Sequence, residues 1–101
     1  MSLTVVIPTL NEEKDLPRTL DSLIGLTKNI LVIDSGSTDR TLEIAKKYKA
    51  KIVNHPFSSY SDTRNFGNDQ AKGGWILSLE ADVVVTKKLA QEIKEATNKE
   101  V

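Results

Sequence analysis

The sequence contains no cysteine among its 101 residues. This absence excludes disulfide bonds, zinc sites built on thiolates and cysteine nucleophiles, and it fits a reducing compartment. Long hydrophobic runs are missing too, since no segment approaches the roughly 20 apolar residues that a membrane span requires. The amino terminus carries no basic stretch followed by a hydrophobic leader. Together these absences predict a cytoplasmic protein.

An excess of charge of either sign is also missing, because 14 basic residues balance 14 acidic ones. Binding to nucleic acid or to anionic membranes needs concentrated positive charge, so the sequence predicts no nucleic-acid partner. The single histidine, His55, gives little support to a hydrolytic triad and is interpreted as a loop residue. Neither the dinucleotide-binding glycine pattern nor the P-loop pattern occurs.

What the chain does contain is a regular alternation of strand-like and helix-like segments. The predicted strands span residues 3–7, 30–33, 52–53 and 75–79. The predicted helices span residues 12–26, the segment from the capping residues 37–39 to about 48, and residues 62–71 and 87–97. This alternation predicts βαβ units with a parallel sheet, in a single domain over residues 1–101.

The first predicted helix has one apolar face, made by Leu16, Leu20, Leu23 and Ile24 at helical spacing. Pro17 must lie in its first turn or at a kink, because a proline inside a helix costs about 3 kcal/mol. A glycine that follows at position 25 is a plausible stop signal.

Polar clusters follow three of the predicted strands at the point where each strand ends. They comprise Pro8, Thr9, Asn11, Glu12 and Glu13 after the first strand, residues 34–39 after the second, and residues 80–82 after the fourth. If these strands are parallel neighbours, the clusters share one edge of the sheet, which is where open α/β sheets bind ligands. Carboxylates at that edge suit a hard cation such as Mg²⁺ together with a substrate phosphate.

Glu80 and Asp82 form the sharpest of these signals. Alternate residues of a strand point to the same face, so two carboxylates two residues apart can converge on one cation. A cation held there neutralises a diphosphate and stabilises it as a leaving group. The alternative is a pair of solvated acids on a loop. The position after a strand that is expected to be buried gives the two interpretations about equal weight.

Other polar positions also have two interpretations. Asp34 is interpreted as an acceptor for a nucleobase or ribose, whereas Asp39 is interpreted as a helix cap. Residues 8–12 either lie under a nucleotide, with the Thr9 hydroxyl exposed to it, or simply end a strand and cap a helix. Arg64 has the guanidinium fork that binds two phosphate oxygens at once, and it is equally interpreted as a solvated surface arginine.

Taken together, four segments resemble the inverting glycosyltransferases of family 2, which have the GT-A fold. They are residues 4–13 as the opening strand and loop, residues 32–41 as the second strand motif, the pair Arg64-Asn65, and residues 74–77 leading to the metal motif. The resemblance is closest to the bacterial lipopolysaccharide core-type branch. It implies a three-layer α/β/α domain with a mainly parallel sheet in the order 3-2-1-4.

The resemblance also implies a nucleotide-diphosphate-sugar donor and a divalent metal, Mg²⁺ or Mn²⁺. Glu80 departs from the aspartate of the family motif, and Val83 stands where an acid commonly follows. The implied nucleotide-sugar-binding residues are Pro8, Thr9, Asn11 and Glu12 in the nucleotide pocket, Asp34 at the base, Arg64 near the diphosphate or base, and Glu80. The implied metal ligands are Asp82 and Glu80.

Only the amino-terminal, donor-binding half of the family is matched by these segments. The catalytic base of the family comes from a later segment, so no residue here is assigned to that role. The implied acceptor is a glycan or a lipid-linked sugar. The fourth strand would lack its usual neighbour, which predicts a homo-oligomer or a partner chain at the exposed sheet edge.

Two other functions are weighed beside the glycosyltransferase. One is a non-catalytic nucleotide-sugar-binding module, or a half-enzyme that needs another chain. The other, weaker interpretation is a nucleotidyltransferase, which would want a glycine-rich basic loop after the first strand. Residues 11–14 are too acidic for such a loop.

Overall fold

A computed structural model describes residues 3–71 and 74–98 of the chain. Strands and helices alternate through both described segments, as the hydrophobic pattern predicts. The strands are β1 (Leu3–Thr9), β2 (Asn29–Asp34), β3 (Lys51–Asn54) and β4 (Trp75–Ser78). The helices are α1 (Leu16–Leu23), α2 (Thr41–Lys47), α3 (Tyr60–Gln70) and α4 (Lys87–Asn98). Among the described residues, no helix has both the length and the apolar composition needed to cross a membrane.

The four strands form one parallel sheet in the order β3-β2-β1-β4, which confirms the predicted order. Thr9 at the end of β1 pairs with Asp34 at the end of β2, and Asp34 pairs with Asn54 at the end of β3. On the other side, Val6 of β1 pairs with Ser78 of β4. The carboxyl ends of the strands therefore share one edge of the sheet.

Helices cover both faces of the sheet, because alternate residues of the central strands point in opposite directions. Val5 and Ile7 of β1 belong to a cluster with the leucines of α1. Val6, between them, belongs to a second cluster that α3 covers through Phe66. The result is the three-layer arrangement that the resemblance implies, with β1 and β2 buried in the middle.

The first helix is shorter than the sequence predicts at both ends. It begins at Leu16 and not at residue 12, because residues 10–15 form a loop in which Asn11 has a positive φ of 54°. Pro17 lies in the first turn, as expected. Gly25 follows the helix with a φ of 89°, which suits a stop signal. The prediction that Ile24 joins the apolar face is wrong, since that side chain is 72% exposed beyond the last turn.

The expectation that the fourth strand is buried is also wrong. Within the described residues, β4 is the last strand of the sheet and pairs only with β1. Ile76 is 39% exposed as a result, whereas the residues of β1 that it adjoins are mostly buried. The acids at residues 80–82 thus follow an edge strand, and the argument for a metal site depends on their neighbours instead.

Candidate functional site

A cleft of about 880 Å³ opens at the carboxyl edge of the sheet. Its volume lies in the upper range of small-molecule sites in proteins. Six of the residues predicted from the sequence line it, namely Pro8, Thr9, Glu12, Arg64, Glu80 and Asp82. The lining also includes residues that the sequence analysis did not single out, namely Val6, Leu10, Asp15, Ser35, Phe57, Tyr60, Thr63, Ser78, Leu79 and Ala81.

Asp34 lies behind the cleft and not in its lining, with only 1% of its surface exposed. One carboxylate oxygen accepts hydrogen bonds from the hydroxyls of Thr9 (2.7 Å) and Ser37 (2.5 Å). The other accepts from the backbone N–H groups of Gly36 (3.0 Å) and Ser37 (2.8 Å). Burial alone would raise the pKa of Asp34, but these hydrogen bonds outweigh it and hold the pKa below its usual value.

Asn11 also lies outside the lining of the cleft, where it joins two loops. Its side-chain oxygen accepts hydrogen bonds from the backbone N–H groups of Thr38 (2.8 Å) and Asp39 (3.3 Å). Its own backbone N–H donates to the hydroxyl of Ser37 at 2.9 Å. Asn11 thus connects the loop after β1 (residues 10–15) to the loop after β2 (residues 35–40).

The backbone N–H groups of the next two residues also donate to side chains that follow β2. The backbone N–H of Glu12 donates to the Thr41 hydroxyl at 2.8 Å, and that of Glu13 donates to the Asp39 carboxylate at 3.2 Å. The N-cap of α2 is Arg40 and not Asp39 as interpreted from the sequence, but Asp39, one residue earlier, still accepts a hydrogen bond from the backbone N–H of Thr41, the first residue of α2. Side chains after each strand therefore satisfy backbone groups after the other. These bonds hold in place the two loops, which carry the lining residues Glu12 and Ser35.

The segment that carries Glu80 and Asp82 is held by α1. Ala81, between the two acids, is buried, and its carbonyl oxygen accepts a hydrogen bond from the buried hydroxyl of Thr19 at 2.7 Å. A few residues later, the backbone N–H of Val85 donates to the hydroxyl of Ser22 at 3.0 Å. The small side chain at position 81 allows this close approach, so the two acids lie on a backbone that is fixed.

Four acidic side chains line the cleft, and their mutual repulsion is visible at one of them. Burial raises the pKa of Glu12, and the neighbouring charges of Asp15, Asp82 and Asp39 raise it further. Asp15, Asp82 and Glu80 line the cleft together with Glu12. A cation bound among these carboxylates would relieve the repulsion that the raised pKa reports.

The donor set fits a divalent cation of a particular kind. Among residues 3–71 and 74–98, no three Asp, Glu or His side chains are grouped closely enough to hold a metal ion by themselves. Mg²⁺ is commonly bound by one or two carboxylates plus the phosphates of a substrate. Glu80 and Asp82 supply two such carboxylates at the cleft. The site therefore suits a cation that arrives with a diphosphate.

The other side of the cleft is aromatic and basic. Phe57 and Tyr60 make an edge-to-face pair, with ring centroids 5.3 Å apart and ring planes at 74°. Tyr60 begins α3, and Arg64 follows one helical turn later on the same face. The sequence analysis began this helix at residue 62 and gave no role to Phe57 or Tyr60, which together form the aromatic wall of the cleft. Two aromatic residues among polar ones were the only signal for it.

His55 holds the loop that carries this wall, in agreement with its interpretation as a loop residue. Its Nε2 lies 2.7 Å from a carboxylate oxygen of Asp62, and its ring stacks on Phe66 at 3.9 Å. The hydrogen bond from His55, followed by one from Ser58, lowers the pKa of Asp62. Ser59 caps α3 by accepting from the backbone N–H of Asp62 at 3.0 Å.

Thr63 is a buried polar residue in the lining of the cleft. It is 3% exposed, and its hydroxyl oxygen has no hydrogen-bond partner among the described residues. It lies on α3 between Tyr60 and Arg64, at the helix end that meets the carboxyl edge of the sheet.

Comparison with known proteins gives a consistent result. Residues 4–100 match the model of a family described as glycosyl transferase family 2. An uncharacterized glycosyltransferase from Rickettsia conorii is 34% identical over 92 residues, which cover 91% of this chain and 33% of the relative. The chain spans about a third of the length of the curated relatives that it matches over nine tenths of its own length.

Two solved structures have the same fold. S. aureus TarS in complex with UDP is 28% identical, with a TM-score of 0.75, over 94% of this chain and 31% of that one. A Mycobacterium tuberculosis glucosyl-3-phosphoglycerate synthase was crystallised with Mn²⁺, UDP and glucosyl-3-phosphoglycerate. It is 23% identical, with a TM-score of 0.78, over 98% of this chain and 40% of that one. The second likeness shows the fold alone.

Proposed function

Because the chain belongs to glycosyl transferase family 2, we propose that its cleft binds a nucleotide-diphosphate sugar with a divalent cation, Mg²⁺ or Mn²⁺. The sugar is then transferred to an acceptor, a glycan or a lipid-linked sugar. The observation that carries this proposal is the meeting of Glu80, Asp82 and Arg64 in one cleft at the carboxyl edge of the sheet. The UDP bound to the related S. aureus TarS supports a nucleotide-diphosphate donor.

In this proposal, different lining residues bind different parts of the donor. Asp82 and Glu80 would hold the cation, which when bound neutralises the diphosphate and stabilises it as a leaving group. Arg64 pairs with diphosphate oxygens through its guanidinium fork. Pro8, Thr9 and Glu12 form the nucleotide side of the pocket.

Asn11 and Asp34 act in this proposal by positioning. Their side chains are engaged in the hydrogen bonds that hold the loops after β1 and β2, and those loops carry lining residues. A direct contact between Asp34 and the base of the donor is supported only by the sequence resemblance. It would require the carboxylate to give up some of its present donors.

Three finer points of the proposal also depend on the resemblance. Transfer inverts the configuration of the anomeric carbon, as in the enzymes that residues 4–13 and 32–41 resemble. The acceptor is of the kind used by the lipopolysaccharide core-type branch, and residues 1–101 act as one donor-binding domain. A cytoplasmic location stays a prediction of the sequence. The base that activates the acceptor hydroxyl is left unassigned.

Calorimetric titration of UDP, GDP and their sugars, with and without Mn²⁺, tests the donor site. We expect binding that depends on the metal, and we expect Asp82→Asn and Glu80→Gln to weaken it because each removes one carboxylate charge. Glu92→Gln is the matched control, since this exposed residue of α4 lies outside the lining of the cleft. If the wild-type chain binds no nucleotide in the presence of Mn²⁺, the proposed function is wrong.

Sugar transfer separates the enzyme from the second candidate, a module that holds the donor without using it or a half-enzyme completed by another chain. Release of UDP or GDP from the bound sugar, followed with and without candidate acceptors, measures this directly. Binding without release in every condition would favour the second candidate.

We also propose that β4, the last strand of the sheet among the described residues, associates with a second copy of this chain. β4 ends the sheet, and Ile76 is exposed there. An uncovered edge strand offers backbone groups for pairing. Sedimentation at rising concentration should show a dimer that Ile76→Lys weakens. Ile24→Lys, at an exposed site after α1, should leave it intact. A wild-type chain that stays monomeric at high concentration would refute the association.

A further inference from the structure

We infer that Phe57 and Tyr60 form the stacking site for the nucleobase of the donor. This inference rests on the proposed function and names the part of the cleft that recognises one end of the ligand. Both side chains line the cleft, and both come from the loop and helix that follow β3. The family comparison does not assign a role to either residue.

These two rings are the most exposed aromatic side chains of the chain. The sequence holds five aromatic residues of the Phe, Tyr and Trp types, and Phe57 and Tyr60 are 51% and 81% exposed. A single exposed apolar residue on a surface needs no explanation. Two rings in contact with each other, inside a concave site that also holds charged side chains, form a surface that a flat ligand can cover.

The geometry of the pair suits an aromatic ligand. The ring planes are nearly perpendicular, at 74°. A base stacked on the face of one ring then meets the edge of the other, and both contacts are among the arrangements that aromatic groups favour. Stacking of this kind tolerates any base, since every base has a π-face.

The distribution of charge along the cleft determines which end of the nucleotide lies where. The carboxylates that would hold the cation, Glu80 and Asp82, come from the segment after β4. Arg64 lies on α3, one turn from Tyr60. A nucleoside diphosphate has a flat uncharged end and an anionic end. With its diphosphate between Arg64 and a cation at the carboxylates, its base is left for the aromatic wall.

The wall is held in place before any ligand binds. The backbone N–H of His55 donates to the carbonyl oxygen of Asp34 at 2.8 Å, which attaches the start of this loop to β2. The contact of the His55 ring with Asp62 spans the loop from its start to the first turn of α3. Because the backbone under the two rings is held in this way, stacking of a base orders only their side chains.

The test compares a ligand that has a base with one that lacks it. UDP, ADP and inorganic pyrophosphate, each with Mn²⁺, are titrated into the wild-type chain and into Tyr60→Ala, Phe57→Ala and the double variant. We expect the double variant to bind UDP and ADP about tenfold more weakly or worse, and to bind pyrophosphate as the wild type does. Tyr60→Phe keeps the ring and should keep the affinity for both nucleotides.

Three results would overturn the inference while leaving the proposed function intact. In the first, the double variant binds UDP as tightly as the wild type. In the second, it loses pyrophosphate as well, which would mean that the cleft itself is damaged. In the third, a UDP-sugar titrated beside UDP shows that the double variant loses affinity for the nucleotide sugar alone, which would assign the wall to the sugar. A wild-type chain that binds pyrophosphate but no nucleotide would overturn both proposals.

Discussion

At the scale of the residue, Asp34 shows how one carboxylate can organise a ligand site without facing the ligand. Four donors from Thr9, Gly36 and Ser37 surround its two oxygens. A buried carboxylate without such partners would cost several kcal/mol. With them, it fixes the turn after β2 and the orientation of the side chain of Thr9, a residue that lines the cleft.

We expect Asp34→Asn to destabilise the protein by about 1–3 kcal/mol at pH 7, because an amide has one acceptor oxygen in place of two. If that oxygen faces the backbone N–H groups of Gly36 and Ser37, the hydroxyls of Thr9 and Ser37 lose their charged acceptor. The folded-state pKa of Asp34 lies below its unfolded value. Its contribution is therefore present above about pH 4 and is lost as the pH falls through the folded-state pKa. Urea unfolding at pH 7 and at pH 3 measures the difference.

The control for this prediction is Asp69→Asn, at an exposed residue of α3, which should change stability little at either pH. A gap between wild type and Asp34→Asn that stayed constant from pH 7 to pH 3 would contradict the role given to the ionised carboxylate.

At the scale of the element, α3 lies unusually close to the sheet at Gly67. A Cβ placed on this residue would come within 2.6 Å of a methyl carbon of Val6 and within 3.4 Å of the Cγ1 methylene carbon of Ile33. Both neighbours are buried and β-branched, so their side chains have few other rotamers. The close approach brings α3, which carries Tyr60 and Arg64, close to the sheet beside the cleft.

Gly67→Ala should therefore destabilise the protein, although the same change in an exposed helix gains about 1 kcal/mol. Overpacking of a core costs about 1–3 kcal/mol, and we expect the net loss to lie near the lower end of this range. Ser61→Ala, on the exposed side of the same helix, is the control and should be nearly neutral. Chemical denaturation measures both, and a Gly67→Ala protein more stable than wild type would disprove the tight contact.

At the scale of the whole molecule, local pattern and the resemblance predicted the sheet order and the edge that carries the cleft. The start of α1 could not be predicted, because the N–H groups of Asn11 and Glu12 are bound by side chains 26 and 29 residues away. The hydrogen bonds of the Asp34 carboxylate could not be predicted for a similar reason, since one donor, the Thr9 hydroxyl, comes from β1. Phe57 and Tyr60 became visible only when the fold brought their loop beside β1 and β4.

The position of β4 beside β1 has a consequence for how the molecule folds. Leu3 pairs with Trp75, so this contact closes a long stretch of chain, whereas the pairing of β1 with β2 closes a much shorter one. Distant pairings form more slowly because more chain entropy must be lost first. We expect β1, β2 and β3 to associate early in refolding, and the acidic side of the cleft to be completed last.

The chain contains one tryptophan, and it lies on β4. Stopped-flow refolding can therefore follow the late step by tryptophan fluorescence and the early one by far-ultraviolet circular dichroism. A fluorescence change that lags behind the dichroism signal is the expected result, and coincident signals would show that the sheet forms in one step.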